Sequence, residues 1–294
     1  MRMTSALTQR PIALGKALRT LPLYLLLMAL VVVFGFPLLW TFTASLKTIP
    51  EFGEYPPKLF PAVPQWVNYF TVLNTPRVPV LRWVWNSGIV VVLTTLGTVI
   101  TSALVAYSFA RFTYRGRDVL FAVTLATLTL PAQVTLIPQF ILFFKLGWVN
   151  TLEPLWVPAW FGGGAFGIFM LRQFFKTIPM DLDEAALIDG ASYPRIFWSV
   201  LLPLLGPALA TLAIITFIGS WSDFQNPLIY LNSPDKFTIS IGLQFFNNAP
   251  EVGGLPMRHL LMAACVLSMI PTVALFFIGQ RYFVQGVVMS GIKG

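Results

Sequence analysis

The side chains that could do chemistry are few in this chain of 294 residues, and they do not cluster. The single histidine, His259, has no partner set for a catalytic triad. The glycines at 162–164 lack the lysine of a phosphate-binding loop, and no such loop occurs elsewhere. The single cysteine, Cys265, excludes an intrachain disulfide and a cysteine-cluster metal site. We therefore expect no catalytic residues and no metal site, and we expect that this chain alone does not hydrolyse ATP.

The composition indicates a membrane protein. Hydrophobic residues make up 56% of the chain and charged residues only 10%, whereas soluble domains carry roughly 25% charged residues. The net charge of +8 does not indicate nucleic-acid binding, because the basic residues are scattered at the ends of apolar runs and form no patch. Carboxylate pairs in mid-membrane, which would mark an ion-coupled pump, are also missing from the sequence.

The gaps between charged residues predict six membrane-spanning helices in a single domain over 1–294. The predicted spans are approximately 20–44, 86–110, 119–144, 154–171, 201–222 and 259–280. They are joined by external loops at 45–85 and 223–258 and by a cytoplasmic loop at 173–203. The first apolar run is longer than the core of a signal peptide, so we interpret it as an uncleaved span.

A seventh apolar stretch, Leu59 to Pro76, is rejected as a span. Prolines interrupt it, and Asn68 and Asn74 would have to be buried in lipid. We expect an external loop with a short interfacial helix around Trp66 to Leu73. The fold class predicted from the sequence is thus an all-α polytopic membrane protein.

The basic residues of the short loops predict the orientation. The N-terminal tail has four basic residues and no acid, and the loop after the second span has Arg111, Arg115 and Arg117. The loop after the third span has only Lys145. Since short cytoplasmic loops are enriched in lysine and arginine, we expect both termini and the 173–203 loop in the cytoplasm.

One charge-dense segment, Asp181 to Pro207, lies between two apolar runs. Asp181 as N-cap with Glu184 three residues on predicts the start of a helix, and Gly190 predicts its left-handed end. Ser192 and Pro194 predict a second helix start. The first helix is about two turns long and marginal alone, so the apolar face of Leu182, Ala185 and Ala186 needs a partner to pack against.

This segment resembles a known motif. Glu184-Ala185-Ala186, Gly190 and Leu202-Pro203 stand at the spacing of the EAA loop of ABC-importer permeases, with Val200 in place of the usual isoleucine. Further runs resemble the carbohydrate-importer branch, which contains the maltose-permease-like, binding-protein-dependent subunits. One of them, Trp221-Ser222-Asp223-Phe224, departs from that branch by having Ser222 where asparagine is usual. The resemblance covers most of the chain beyond its first 20 residues.

The resemblance implies a type I ABC importer permease fold and a subunit of a larger complex. It implies a heterodimer with a second permease, two ATPase subunits that carry ATP and Mg²⁺, an external solute-binding protein, and a bacterial or archaeal inner membrane location. The implied ATPase-coupling residues are Glu184, Ala185, Ala186, Asp189 and Gly190. The alternative is that Glu184 and Gly190 only cap their own helix. Arg195 and Lys176 flank the segment and either pair with acids on the ATPase or act as ordinary cytoplasmic anchors.

Polar and aromatic residues near the spans are candidates for the solute pathway, because sugars are held by aromatic faces and amide hydrogen bonds. Packing or membrane anchoring is the alternative for each. The candidates are Gln133, Trp160, Trp221, Asp223 and Asn226, with Gln139 and Gln225.

The sequence favours one permease half of a sugar importer. The first alternative is the same architecture importing a polyol or glycerol phosphate, although no convincing basic residue for a phosphate is found. The second is a channel or carrier that works without ATPases, and the third is a membrane-bound enzyme. Many secondary transporters contain internal repeats, and none is visible here.

Overall fold

A computed structural model describes residues 13–76, 78–248 and 257–291, with side chains for 20–76, 78–248 and 257–280. The described part contains helices and turns and no strand. The α-helices are α1 Ala13–Ser45, α2 Ile49–Gly53, α3 Val67–Leu73, α4 Val80–Arg111, α5 Arg117–Ala126, α6 Ala132–Lys145, α7 Glu153–Trp156, α8 Ala165–Thr177, α9 Asp181–Ile188, α10 Tyr193–Ile196, α11 Leu202–Leu204, α12 Gly206–Trp221, α13 Gln225–Tyr230, α14 Ile239–Asn248 and α15 Arg258–Gly291. Two 3-10 turns, Thr127–Thr129 and Val157–Trp160, and a π-helical turn, Phe197–Leu201, connect them.

Four helical stretches in the described residues are long and apolar enough to cross a membrane: Thr20–Ser45, Val80–Arg111, Glu153–Thr177 and Arg258–Gln280. Two further stretches are bent. Arg117–Thr129 meets Ala132–Lys145 at 99°, and Tyr193–Leu204 meets Gly206–Trp221 at 78°. With each bent pair taken as one span, the described chain has six.

Helix α4 is the centre of the bundle and packs against α8 and α12. It begins at Val80, earlier than the sequence predicts. The reason is that its first turns are fastened to the segment at 234–237. Trp83 donates its indole N–H to the carbonyl of Pro234 at 2.7 Å, and the Asn86 amide donates to the carbonyl of Phe237 at 2.9 Å.

Two buried clusters lie at the two ends of α4. One includes Tyr107, Phe175 and Phe197, and we call this the EAA-loop end. The other includes Trp83, Trp221 and Ile239, and we call it the opposite end. Each cluster joins α4 to helices that are distant in sequence, so the core fixes both ends of the bundle.

Glycine and proline shape the irregular spans. Pro131 follows the 3-10 turn and precedes α6 at the sharp bend. The glycines at 162–164 all have positive φ, and a Cβ on Gly163 would lie 2.2 Å from the Ser102 hydroxyl. Close packing on α4 therefore explains Gly163, whereas Gly162 and Gly164 have open space around an added Cβ and are favoured by their positive φ.

The end of α1 is capped by side chains of the following loop. The Asn68 amide donates to the carbonyls of Ser45 and Lys47, each at 2.9 Å, and the Tyr69 hydroxyl lies 2.7 Å from the Ser45 hydroxyl. Asn68 is buried with both amide hydrogens used, which satisfies carbonyls that α1 cannot pair itself. The short helix predicted around residues 66–73 is present as α3; its place at the membrane surface stays a prediction.

Candidate docking site and solute cavity

Helix α9 is a short surface helix at the EAA-loop end. Its N-cap is Met180, whose carbonyl accepts from the backbone N–H of Asp183 at 2.9 Å and of Glu184 at 3.1 Å. The prediction that Asp181 caps this helix is wrong, because Asp181 is already its first residue and no side chain caps it. The acidic residues of the first turn still favour the helix by facing its positive end.

The end of α9 has the predicted left-handed glycine. Gly190 has φ +80°. Its N–H donates to the carbonyl of Leu187 at 3.0 Å, and the N–H of Ala191 donates to the carbonyl of Ala186 at 2.9 Å. These two bonds form a Schellman ending, which satisfies the last carbonyls and reverses the chain toward α10.

The predicted apolar face of α9 is divided between two sides. Ala186 is half-buried against the cluster at the EAA-loop end, whereas Leu182 and Ala185 are exposed. The expectation that this face packs against a partner stays a prediction, because Leu182 and Ala185 are left uncovered by the described part of the chain. The outward side carries Glu184 and Ala185 together with Ile188, which is 86% exposed. Leu182 and Leu187 of the same short helix are exposed as well, and several exposed apolar side chains rimmed by polar residues are typical of a contact surface.

The second helix of the segment starts as predicted. Ser192 is its N-cap in extended conformation, and Pro194 lies in its first turn. The chain then passes through the π-helical turn into α11 and α12. Arg195 and Lys176 are exposed on either side of α9. Neither forms a close ion pair among the described residues, although Lys176 lies near enough to Asp118 to interact with it electrostatically.

The inward side of α9 carries a residue that the sequence does not single out. Asp183 is 6% exposed, and its Oδ2 lies 3.1 Å from Nη2 of Arg111 at the end of α4. Burial raises the pKa of the Asp183 carboxyl above its usual range, and the positive charge of Arg111 opposes that rise. An acid of a charge-dense loop would ordinarily be assigned to the surface, so only the fold reveals this pair.

A cavity of about 610 Å³ lies nearer the opposite end, between α6, α7, α13 and α4. The amides of Gln139 and Asn226 and the rings of Phe143, Trp148 and Tyr230 contribute to its wall. Phe143 stacks on Trp148 with ring centroids 5.6 Å apart and meets Tyr230 edge-on at 5.3 Å. None of the described residues that line the cavity is charged.

The structure brings only some of the pathway candidates together. Asn226 lines the cavity. The Asp223 carboxylate fixes Asn226 by accepting hydrogen bonds from the Asn226 side-chain amide at 2.8 Å and from the Asn226 backbone N–H at 3.2 Å. Gln139 shares the cavity wall. Gln133 is exposed in the first turn of α6, and Gln225 is exposed at the start of α13.

The two tryptophan candidates are engaged in packing. Trp221 is 8% exposed, stacks on Phe217, and donates its indole N–H to the carbonyl of Ser268 at 3.0 Å. Trp160 is 38% exposed and packs against α4 at Gly97. The aromatic residues that line the cavity come from α6, from α13 and from two connecting segments, and no sequence spacing connects them: Phe143, Tyr230, Trp148 and Phe161.

No group of three or more histidine, cysteine, aspartate or glutamate side chains among the described residues is placed to hold a metal ion.

The chain matches one family by sequence. The family described as "Binding-protein-dependent transport system inner membrane component" matches residues 98–289. Three relatives are similar over most of their lengths. The arabinooligosaccharides transport system permease protein AraQ of Halalkalibacterium halodurans is 36% identical, over 72% of each chain. The trehalose/maltose transport system permease protein MalG of Thermococcus litoralis is 33% identical, over 92% of this chain and 94% of the relative. The galactooligosaccharides transport system permease protein GanQ of Bacillus subtilis is 32% identical, over 94% and 96%.

A solved structure has a similar fold. It is a chain of a bacterial ABC transporter involved in the import of the acidic polysaccharide alginate, with a TM-score of 0.82 and 23% sequence identity. The match covers 94% of this chain and 100% of that chain. At that identity the likeness establishes the shared fold alone.

Proposed function

This chain belongs to the family of inner membrane components of binding-protein-dependent transport systems, and we propose that it is one permease half of an ATP-driven sugar importer. It is a multi-pass membrane protein with the type I importer permease fold. The observation that carries the proposal is α9: a two-turn helix that exposes Glu184, Ala185 and Ile188 at one end of an apolar bundle. A helix of this length is marginal in isolation, and its uncovered side fits a surface on which a partner docks.

The partner at α9 is an ATPase subunit in this proposal. Glu184, Ala185, Asp189 and Gly190 are exposed and form the contact surface, while Ala186 is half-buried and seats the helix on the bundle. When the two ATPase subunits close on ATP, α9 moves and the bundle changes between two arrangements as rigid parts. ATP and Mg²⁺ belong to those subunits.

The second permease and the binding protein meet other surfaces. No residue in the 18-residue apolar core of Thr20–Ser45 is fully buried against the described part of the chain, although α1 packs along α15. The remaining apolar surface of α1 fits the second permease. The external loops near Glu51 to Tyr55 and at 233–251 are proposed to meet the binding protein. We also propose that the C-terminal tail at 285–294 reaches the ATPase subunits. The side chains of that tail and residues 249–251 lie outside the described part.

The orientation in the membrane follows the short basic loops. Arg115 and Arg117 lie beside the EAA-loop end, whereas Lys145 lies at the far end of α6. We place the EAA-loop end and both termini in the cytoplasm on this charge asymmetry.

A sugar fits the cavity better than an anionic solute. Amide groups beside aromatic rings suit neutral hydroxyl-rich solutes. The phosphate of glycerol phosphate would find no basic partner among the described lining residues, because none of them is charged. Three relatives are named for transport of arabinooligosaccharides, trehalose/maltose and galactooligosaccharides, which supports the same solute class here. Asn226, positioned by Asp223, is the pathway residue that we favour; Gln133, Trp160 and Trp221 are proposed to act through the bends and packing of the spans.

The test is the ATPase activity of the assembled complex. Binding protein is added with a panel of neutral sugars, polyols and glycerol phosphate. We expect stimulation by at least one neutral sugar and none by glycerol phosphate. Glu184→Lys should abolish stimulation and lower recovery of ATPase on the purified complex at least about tenfold, since like charges across an interface cost several kcal/mol.

The matched control is Glu54→Lys, which reverses an exposed acid at the opposite end. It should leave recovery of the ATPase unchanged. Failure of an ATPase subunit to associate with the wild-type chain would contradict the proposal. Stimulation by glycerol phosphate alone would show that the transported solute is glycerol phosphate and not a sugar.

A further inference from the structure

Arg111 and Asp183 form an ion pair with little access to water. Their charged groups are 3.1 Å apart, and the side chains are 4% and 9% exposed. Arg111 is the last residue of α4 and Asp183 is the third residue of α9. The pair therefore joins the central helix of the bundle to the proposed ATPase-contact helix across a long stretch of sequence.

Arg111 also contacts groups other than the Asp183 carboxylate. Its Nη2 also donates to the carbonyl of Ile178 at 3.0 Å, and its Nη1 lies 3.0 Å from the sulfur of Met180. One guanidinium thus contacts the turn before α9, the N-cap of α9 and its first turn. This forked geometry suits arginine and cannot be reproduced by the single ammonium of lysine.

The pair is the inward anchor of α9. Asp183 is the one residue of α9 that is buried, whereas Glu184, Ala185, Leu187 and Ile188 all face outward. Asp183 is therefore the most deeply buried contact of α9 with the bundle. The other connections of α9 are the packing of Ala186 against the cluster at the EAA-loop end and the chain itself, by way of α8 and of α10.

The surroundings make the pair costly to break. Tyr107 lies close enough to interact electrostatically with both charges, and its ring packs on Phe112 and Phe197 with centroids 5.2 and 5.1 Å apart. Glu184 is the nearby acid that opposes ionisation of Asp183. Removing one member would leave the other charge poorly solvated among rings.

We propose that the Arg111–Asp183 pair is a mechanical link that transmits the motion of α9 directly to α4, so that ATP hydrolysis and solute movement stay coupled. The inference rests on the proposed function. Both residues are positioning residues, because neither lies on the outward face of α9. The link works only if α9 and α4 move as one rigid part, which is how packed elements carry switching motions.

The experiment compares variants in the complete complex, reconstituted in liposomes with its ATPases and binding protein. The readout is the ratio of sugar transported to ATP hydrolysed. For Asp183→Asn we expect assembly and ATPase activity to persist while the ratio falls at least about fivefold, the lower end of typical coupling effects. Asp181→Asn is the matched control, since it removes an exposed acid from the same helix, and it should keep the wild-type ratio.

Two further variants keep the result decisive. Arg111→Lys retains the charge but loses the fork, so its ratio should also fall. The reversed pair, Arg111→Asp with Asp183→Arg, should recover part of the ratio. A wild-type ratio in Asp183→Asn would overturn the link while leaving the importer proposal intact. Loss of assembly in Asp183→Asn without rescue by the reversed pair would also overturn it, by showing a folding role only. A wild-type complex with no ATP-dependent transport would instead contradict the proposed function.

Discussion

Gly190 is a single residue on which the geometry of the EAA loop depends. Its φ of +80° lies in the left-handed region, which costs a residue with a Cβ roughly 1–2 kcal/mol. We expect Gly190→Ala to lower the free energy of unfolding by about 1 kcal/mol and to weaken recovery of the ATPase, because α9 and α10 would no longer meet at the same angle. Thermal unfolding of the purified chain and co-purification measure the two effects.

The control for Gly190 is Gly219→Ala. Gly219 lies inside α12 without a positive φ, and no atom lies within 4 Å of an added Cβ. It should lose no stability, since alanine favours helix over glycine. Equal behaviour of the two variants would contradict the role given to the left-handed turn.

Residue-level chemistry was only partly predictable from the sequence. The left-handed Gly190 follows from a local preference, and the structure confirms it. Ser192 stands at the predicted N-cap position, but its side chain makes no capping hydrogen bond. The cap assigned to Asp181 is wrong, and the burial of Asp183 is missed. Local patterns do not record that Arg111, which is far away in sequence, turns the inner side of α9 into the site of an ion pair.

At the scale of elements, α2 offers a test of the external loop. The Glu51 carboxylate accepts from the backbone N–H of Thr48 and of Ala62, each at 2.9 Å, and so ties α2 to the chain beyond it. These backbone hydrogen bonds, that from Thr48 first, lower the pKa of Glu51. A lowered pKa means that the folded state favours the ionised form. The stability that the ionised Glu51 carboxylate contributes is therefore present above the ordinary glutamate pKa of about 4.3. It is lost as the pH falls through the lowered pKa of Glu51 in the folded state.

We expect acidification to loosen the segment at 48–62 in the wild-type protein. Glu51→Gln should show faster amide exchange there already at neutral pH and little further change on acidification. Glu54→Gln is the control, because it removes only an exposed pair with Lys58 at 2.7 Å, and such pairs contribute little. Identical exchange profiles for the two variants would remove Glu51 from this role.

Element positions were easier to predict than element shapes. Hydropathy and charge gaps place apolar helices along most of the predicted spans, because lipid-facing segments must be apolar throughout. The 99° bend at Pro131 and the 78° bend before α12 depend on how the helices pack. A proline marks where a helix can bend but does not set the angle, as Pro37 and Pro271 show by lying inside continuous helices.

At the scale of the whole molecule, the predicted all-α polytopic fold is confirmed by the helices and by the shared fold of the solved relative. The cavity was not predictable. Its walls join Gln139, Phe143, Asn226 and Tyr230 from two distant parts of the chain, and such convergence is set by tertiary packing rather than by local pattern.

The first span and α9 both leave surfaces uncovered, which indicates that the chain works together with other subunits. No residue in the apolar core of Thr20–Ser45 is fully buried against the described part of the chain, and α9 presents Ile188 outward. Both features point to neighbours of different kinds, one within the membrane and one beside it. The central claim is therefore that solute crosses only when another subunit supplies the energy.

The most direct measurement is sugar accumulation in liposomes that contain either the purified chain alone or the full complex with its ATPases, second permease and binding protein. The account predicts that the full complex concentrates sugar against a gradient only when ATP is present, and that the chain alone moves none. Movement of sugar down its gradient by the chain alone, or accumulation without ATP, would contradict it.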